Sequence, residues 1–176
     1  LRWLEGTARR INYCFIRRFD ECWIPDFEVR NGIAGRLSHP GRLPSNARYV
    51  GILSRFLPLI SPVTDSHIPS IDILALISGP EPQRTIFEEI LTAQLKKLEL
   101  VSVVVGGNPD HDVSESITDN LHRFSYLTSE RLLELLARSS LVICRSGYST
   151  IMDLMTVGKK AVLVPTPGQT EQEYLA

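Results

Sequence analysis

Leu141-Val142-Ile143-Cys144-Arg145-Ser146-Gly147-Tyr148-Ser149-Thr150-Ile151-Met152-Asp153-Leu154-Met155-Thr156-Val157-Gly158 is the stretch whose reading decides the fold. Leu141–Cys144 is a short apolar run, as expected of a strand covered on both faces. Ser146-Gly147 makes a tight turn. Ser149 or Thr150 is placed to cap a new helix. Ile151, Leu154 and Met155 follow at helical spacing, and Gly158 supplies the stop. A strand feeding a helix through such a turn aims backbone N–H groups and the positive end of the helix dipole at one point. Anions bind there, phosphate above all.

Working outward, the same rhythm recurs on both sides. Downstream, Ala161–Pro165 reads as the last strand and Glu171–Ala176 as the start of a helix. Upstream, Glu130–Arg138 reads as a helix and Leu121–Tyr126 as a strand. Val101–Val105 is another strand, ended by Gly106-Gly107-Asn108. Thr85–Leu98 is an amphipathic helix whose expected inner face is Ile86, Ile90, Leu91 and Leu95. Before it lie the turn Gly79-Pro80-Glu81-Pro82, with prolines suited to a helix start, and the buried strand Ile71–Ser78. Strands that alternate with helices predict an α/β domain with a doubly wound parallel sheet, in the strand order 3-2-1-4-5. In that order the first and fourth strands are neighbours, and the chain direction across the sheet reverses between them. Ligands bind in the crevice beyond the carboxyl ends there. The two loops that flank it are Ser78–Pro82 and Arg145–Ser149.

The N-terminal third is less regular. Residues 5–19 read as a helix, with Ile11, Phe15 and Phe19 on one stripe and Arg9, Arg10, Arg17 and Arg18 on the other surface. That surface is either a solvated face or a basic face for anionic lipid. Glu21–Ile24 and Ala47–Leu53 read as strands. Residues 26–46, with Gly32, Gly35, Pro40, Gly41 and Pro44, keep no period and read as an ordered loop or linker. Pro58, Pro62 and Pro69 mark the entry to a new domain. The expected division is residues 1–55, which end in a linker, and 56–176, the α/β domain.

Composition narrows the classes. A net charge of −1 argues against a general nucleic-acid binder. No apolar run approaches the ~18 residues of a membrane span. Three cysteines without metal spacing fit reduced thiols in a cytosolic protein. The chain begins at Leu1 rather than Met, as an excised piece would. There is no G-x-G-x-x-G and no Walker pattern, which disfavours a nicotinamide-dependent dehydrogenase or a P-loop enzyme. No nucleophile elbow is present.

Each candidate residue has a structural alternative. Ser146-Gly147 either places N–H groups against a diphosphate or is a plain connection. Thr150 and Asp153 have capping-box spacing, yet a carboxylate one turn into this helix also suits ribose hydroxyls. Glu171-Gln172, after Pro165-Thr166-Pro167-Gly168-Gln169, either presents two side chains to a sugar or is a solvated first turn. Asp110-His111-Asp112 resembles a metal-binding acid pair, but no other ligand cluster accompanies it, so it reads as a solvated loop. His39, His67 and His122 have no evident partners and read as structural.

The run Cys144-Arg145-Ser146-Gly147-x-x-Thr150-x-x-Asp153, then Gly158-Lys159-x-Ala161-x-x-Val164-Pro165, then Glu171-Gln172, resembles the donor-binding half of GT-B glycosyltransferases. The nearest group is MurG-like, whose members move N-acetylglucosamine from UDP onto a lipid-linked acceptor. The resemblance is clearest over residues 120–176 and weaker over 71–107. It implies that Ser78-Gly79 and Arg145-Ser146-Gly147 face the diphosphate of a nucleotide-sugar donor, with Thr150 beside it. Asp153 stands where such enzymes carry a ribose-binding glutamate, one methylene longer. Glu171-Gln172 would meet the donor sugar, and Tyr126-Leu127 would flank the base. The first loop departs from the pattern: it lacks a second glycine, its prolines remove N–H donors, and Glu81 adds negative charge.

The resemblance further implies a UDP-sugar donor, no cofactor and no metal, and a lipid-linked or cell-envelope acceptor. It implies a cytoplasmic protein in peripheral contact with the inner face of the membrane. The acceptor half and the general base would precede Leu1, so this piece would hold donor without catalysing transfer. A nucleotide-sugar epimerase or hydrolase of the same fold, and a non-catalytic α/β interaction domain, are the alternatives.

Overall fold

The computed structural model describes residues 2–29, 32–59, 70–108 and 113–176. The chain divides into two compact units, Leu1–Leu53 and Ser54–Ala176.

In the first unit, helix α1 (Arg2–Ile16) precedes strands β1 (Cys22–Ile24) and β2 (Ala47–Tyr49), which pair in parallel. Asn46 closes α1, because its Nδ2 donates to the carbonyls of Ile16 (3.0 Å) and Phe19 (2.9 Å). Ile11, Phe15 and Phe19 are all exposed in this unit. The stretch read as a linker is organised by a carboxylate. Asp26, fully buried, accepts from the N–H groups of Phe27 (2.7 Å), Ile33 (2.6 Å) and Ala34 (3.0 Å) and from Ser38 Oγ (2.5 Å). Those bonds set up the short 3-10 turn Gly35–Leu37. Burial by itself would raise the Asp26 pKa. Ser38 and the three N–H groups outweigh it and lower the pKa from 3.8 to about 2. His39 stacks on Tyr49.

The second unit contains β3 (Ile71–Leu76), α2 (Gln83–Leu95), β4 (Ser102–Val105), β5 (Ser114–Thr118) and β6 (Leu121–Phe124). It continues with α3 (Ser129–Arg138), β7 (Ser139–Arg145), α4 (Tyr148–Val157), β8 (Ala161–Val164) and α5 (Thr170–Leu175). The sheet order is β5-β6-β4-β3-β7-β8. Every pair is parallel except β5–β6. Without β5 this is the expected order 3-2-1-4-5. The central strands are apolar throughout because helices cover both faces of the sheet. Leu74, Val103, Val105 and Val142 pack with α3 and α4. Ile73, Ala75, Ile77 and Val104 pack with α2. Each fully buried Leu, Ile or Val among them contributes about 1.5–3 kcal/mol of apolar burial.

Three expectations are corrected. Strand β5 occupies part of what reads as a polar loop; Asp119-Asn120 turn it back onto β6. The buried stripe of α2 is Phe87, Leu91 and Leu95, while Ile86 and Ile90 are 43% and 50% exposed. The helix begins earlier, at Gln83, and its face is turned about one residue from the expected one. Helix α4 also begins earlier than expected. Its N-cap is Gly147, with no side-chain cap bond, so neither Ser149 nor Thr150 is the cap and Asp153 belongs to no capping box. Its buried residues are Met152 and Leu154, whereas Met155 is exposed. The predicted stop holds: Gly158 takes the left-handed conformation (φ 68°, ψ 32°) that glycine accepts at least cost. Lys159 then donates from Nζ to the carbonyls of Ala137 (2.8 Å) and Ser139 (2.9 Å), satisfying the end of α3.

His67 and Asp110-His111-Asp112 lie outside the described residues. Among those described, no group of three or more His, Cys, Asp or Glu side chains is placed to hold a metal ion. No described helix is long and apolar enough to cross a membrane.

Candidate functional site

Strands β3 and β7 are adjacent, and the loops after them leave the same edge of the sheet. A cavity of about 240 Å³ opens there. Its floor includes Leu76, Ile77, Val105, Leu132, Leu136 and Leu154, and its polar lining is Arg55, Ser78, Thr150 and Asp153. Phe56, Gly107, Tyr126 and Leu127 complete the wall. Ser78, Tyr126, Leu127, Thr150 and Asp153, separated by up to 75 positions in the chain, thus line one cavity. Ser78 is supplied by the end of β3, Tyr126-Leu127 by the loop after β6, and Thr150 and Asp153 by the first turns of α4.

The Asp153 side chain is 14% exposed and is already held. Ser54 Oγ donates to its Oδ1 at 2.6 Å, and Arg55 Nε donates to its Oδ2 at 3.1 Å. Each oxygen retains a lone pair. Tyr126, at 49% exposure, offers an open ring. Gly107 lies where β4 ends. A Cβ there would meet the Ile77 carbonyl oxygen at 2.7 Å, and its φ is +66°, so only glycine fits.

The other expected residues fall elsewhere. Ser146 is fully buried, and its hydroxyl donates to the Gln172 carbonyl at 2.8 Å. Gln172 Oε1 accepts from the Thr166 N–H at 2.9 Å, and its Nε2 donates to Gln169 Oε1 at 2.6 Å. The structure therefore joins the turn after β7 to α5 through Ser146 and Gln172. Glu171 and Gly79 are exposed, and Gly147 opens α4.

Arg145 departs most from its expected place. It is 4% exposed, and burial lowers its pKa. Its two terminal nitrogens donate to the carbonyls of Pro165 (2.9 Å) and Gln83 (3.2 Å), and its guanidinium lies 4.0 Å over the Phe87 ring. It ties the ends of β7 and β8 to the start of α2 through one N–H of each terminal nitrogen, while its Nε is buried with no hydrogen-bond partner.

A larger groove of about 1010 Å³ runs between α2 and the β5–β6 hairpin. None of the expected residues lines it, and its central Arg123 is already paired with Glu88 and Glu115. Sequence reasoning missed Arg55, Phe56 and Gly107 as cavity residues. Only Gly107, as half of a glycine pair closing a strand, carried a signal.

Comparison with known proteins agrees with this architecture. A Histophilus somni protein named UDP-N-acetylglucosamine--N-acetylmuramyl-(pentapeptide) pyrophosphoryl-undecaprenol N-acetylglucosamine transferase is 32% identical over 106 residues, covering 55% of this chain and 28% of that protein. A protein of the same name from Methylorubrum extorquens is 26% identical over 150 residues, covering 75% of this chain and 39% of its own length. The chain thus spans well under half the length of these relatives. The crystal structure of the glycotransferase of kitacinnamycin shares the fold, with a TM-score of 0.58 at 12% identity, over 89% of this chain and 39% of that one. Residues 79–176 match the Glycosyltransferase family 28 C-terminal domain, and the chain belongs to that family.

Proposed function

We propose that residues 54–176 bind a nucleotide-sugar donor, a UDP-sugar, on behalf of a glycosyltransferase. One observation carries this reading: Ser78, Tyr126, Leu127, Thr150 and Asp153 line a single cavity at the reversal point of the sheet. The cavity is smaller than the ~300–1,000 Å³ of sites that enclose a drug-sized ligand. A base and ribose are the part of the donor it suits. The open Tyr126 ring and Leu127 flank the base, and the Asp153 carboxylate accepts from the ribose hydroxyls. The diphosphate then lies toward Ser78-Gly79 and the start of α4, where the N–H groups and dipole of the helix favour negative charge. Glu171 is the nearer candidate for the donor sugar, since the Gln172 amide is held by Thr166 and Gln169.

The relatives' name supports UDP-N-acetylglucosamine as the donor and a lipid-linked acceptor for the whole protein. Residues 1–53 then represent the end of the acceptor domain. The lipid-linked acceptor carries the hydroxyl that is glycosylated, and the base that deprotonates it is proposed for the acceptor domain. In the whole enzyme, helix N-termini and backbone donors would stabilise the departing diphosphate. A peripheral position at the inner face of the membrane follows from such an acceptor.

Calorimetric titration of the chain with UDP, UDP-N-acetylglucosamine and ADP tests the donor reading. Saturable binding of the two uridine nucleotides, with ADP much weaker, is expected. UDP binding should weaken in Asp153→Ala, toward that of an analogue without the ribose diol, with the fold retained. A folded chain that binds none of the three overturns the proposal. Slow release of UDP from UDP-N-acetylglucosamine in the absence of acceptor is also expected. Rapid accumulation of UDP or an epimer would instead mark a hydrolase or epimerase.

A further inference from the structure

Ser54 opens the second unit, and three consecutive residues there form a bracket around Asp153. Phe56 is fully buried and anchors the segment in the core of the sheet. Its N–H donates to Ser54 Oγ at 3.1 Å. A serine hydroxyl has one proton and two lone pairs. With a lone pair occupied by the Phe56 N–H, its single proton goes to Asp153 Oδ1, at 2.6 Å. Arg55 holds the other oxygen while its guanidinium lies over the Phe56 ring at 5.0 Å.

Asp153 has one side-chain torsion fewer than glutamate and a shorter reach. It serves a ribose only if its carboxylate plane is fixed with the remaining lone pairs turned to the cavity that it lines. We infer that Ser54 is a positioning residue for nucleotide recognition: its hydroxyl sets the Asp153 carboxylate so that both oxygens accept from the vicinal ribose diol. This rests on the donor reading above. Nothing in Ser54 itself need touch the ligand. The bracket links a residue 99 positions away in sequence to the specificity of the cavity.

The test compares UDP with 2′,3′-dideoxyuridine diphosphate, which lacks the diol, on the full chain by calorimetry. Ser54→Thr keeps the hydroxyl, and Ser54→Val replaces it with a methyl of the same branched shape. Wild type and Ser54→Thr should prefer UDP strongly. Ser54→Val should bind UDP about threefold to tenfold more weakly, as the loss of one ordering hydrogen bond implies. Its affinity for the dideoxy analogue should not change. A merely structural serine would move both affinities together. Equal UDP binding by the Thr and Val variants, or a parallel loss for both ligands, overturns the inference. Asp153→Ala separates the two levels. If it abolishes the preference for UDP while Ser54→Val does not, only the role of Ser54 fails. If wild type shows no preference, or Asp153→Ala keeps it, the donor reading fails and the inference with it.

Discussion

Arg145→Met discriminates between two roles for one guanidinium. Beside Ser146-Gly147 it reads in sequence as an anion-binding group; in the fold it is a buried tie. Methionine has a similar stem and removes the planar donors. Two carbonyls, Pro165 and Gln83, then lose their partners. A buried acceptor left unsatisfied costs about 1–3 kcal/mol. The stacking on Phe87 at 4.0 Å adds about 2 kcal/mol for a desolvated cation over a ring. Against this, the variant no longer buries a charge, which returns several kcal/mol. The net expectation is a loss of about 2–4 kcal/mol. With a urea slope of about 2 kcal/mol/M, the midpoint falls by roughly 1–2 M. Both tryptophans, Trp3 and Trp23, lie in Leu1–Leu53, so fluorescence would report the wrong unit. Far-UV circular dichroism, with amide exchange along β7, reports the right one. Lysine cannot replace the fork that reaches two carbonyls at once, so Arg145→Lys should recover less than half of the loss. If Arg145→Met unfolds within about 0.5 kcal/mol of wild type while UDP affinity drops more than tenfold, the tie is wrong and the guanidinium is a ligand group.

Other perturbations follow from the same geometry. Asp26, held at about 2 rather than 3.8, has a depressed folded-state pKa. Its stability contribution of about 2 kcal/mol is therefore present above pH ~4 and is lost as pH falls toward 2. A carboxyl NMR titration of Asp26 with a midpoint above 3.5 would contradict it. Gly107→Ala places a Cβ 2.7 Å from the Ile77 carbonyl oxygen at a positive φ. It should destabilise the second unit by more than about 2 kcal/mol. Gly147→Ala, at φ −71° with its nearest neighbour 3.8 Å away, should cost about 0.5 kcal/mol in urea melts. Equal effects of the two alanines would remove the steric argument. Burial pushes the Cys144 thiol up to about 11, so iodoacetamide at pH 8 should alkylate exposed Cys14 and spare Cys144 until urea unfolds the chain. Mass spectrometry of the native protein decides this.

The sheet order was legible because its inner strands are buried on both faces. Ile71–Leu76, Ser102–Val105 and Leu141–Cys144 leave little room for a solvated position, so their apolar runs announce them. Strand β5 has no such signature. Four of the five residues of Ser114–Thr118 are exposed, only Ile117 is apolar, and its register on β6 shifts between Ser116 and Thr118. An edge strand of that composition looks like a polar loop. The face of α2 was misread for a related reason: Ile86 and Ile90 are as apolar as Leu91, and only the starting point of the helix at Gln83 decides which stripe turns inward.

The site divides along the same line. That Ser78, Thr150 and Asp153 would gather at one edge of the sheet was legible in sequence, because a residue at the end of a parallel strand, or in the first turns of the next helix, has its position fixed by the topology. Hydrogen-bond partners have no such guarantee. Nothing in Arg145-Ser146-Gly147 says that Pro165 and Gln83 will present their carbonyls to the guanidinium. Nothing in Ser54-Arg55, in a segment without period, says that it will close on a carboxylate 98 and 99 positions later. Both facts bear on the ribose assignment in opposite ways. On the donor reading, Arg145 held between two carbonyls contributes little to the diphosphate, which then relies on N–H groups and the dipole of α4. Committing one lone pair on each Asp153 oxygen does not block the ribose; it leaves two acceptors with their directions fixed. Affinity from such a site should therefore depend more on the ribose diol than on phosphate charge, and removing the diol should weaken UDP more than raising salt from 0.05 to ~0.5 M does, because buried hydrogen bonds are screened far less than exposed charges. A salt dependence that exceeds the effect of the diol would place a cation at the phosphates after all.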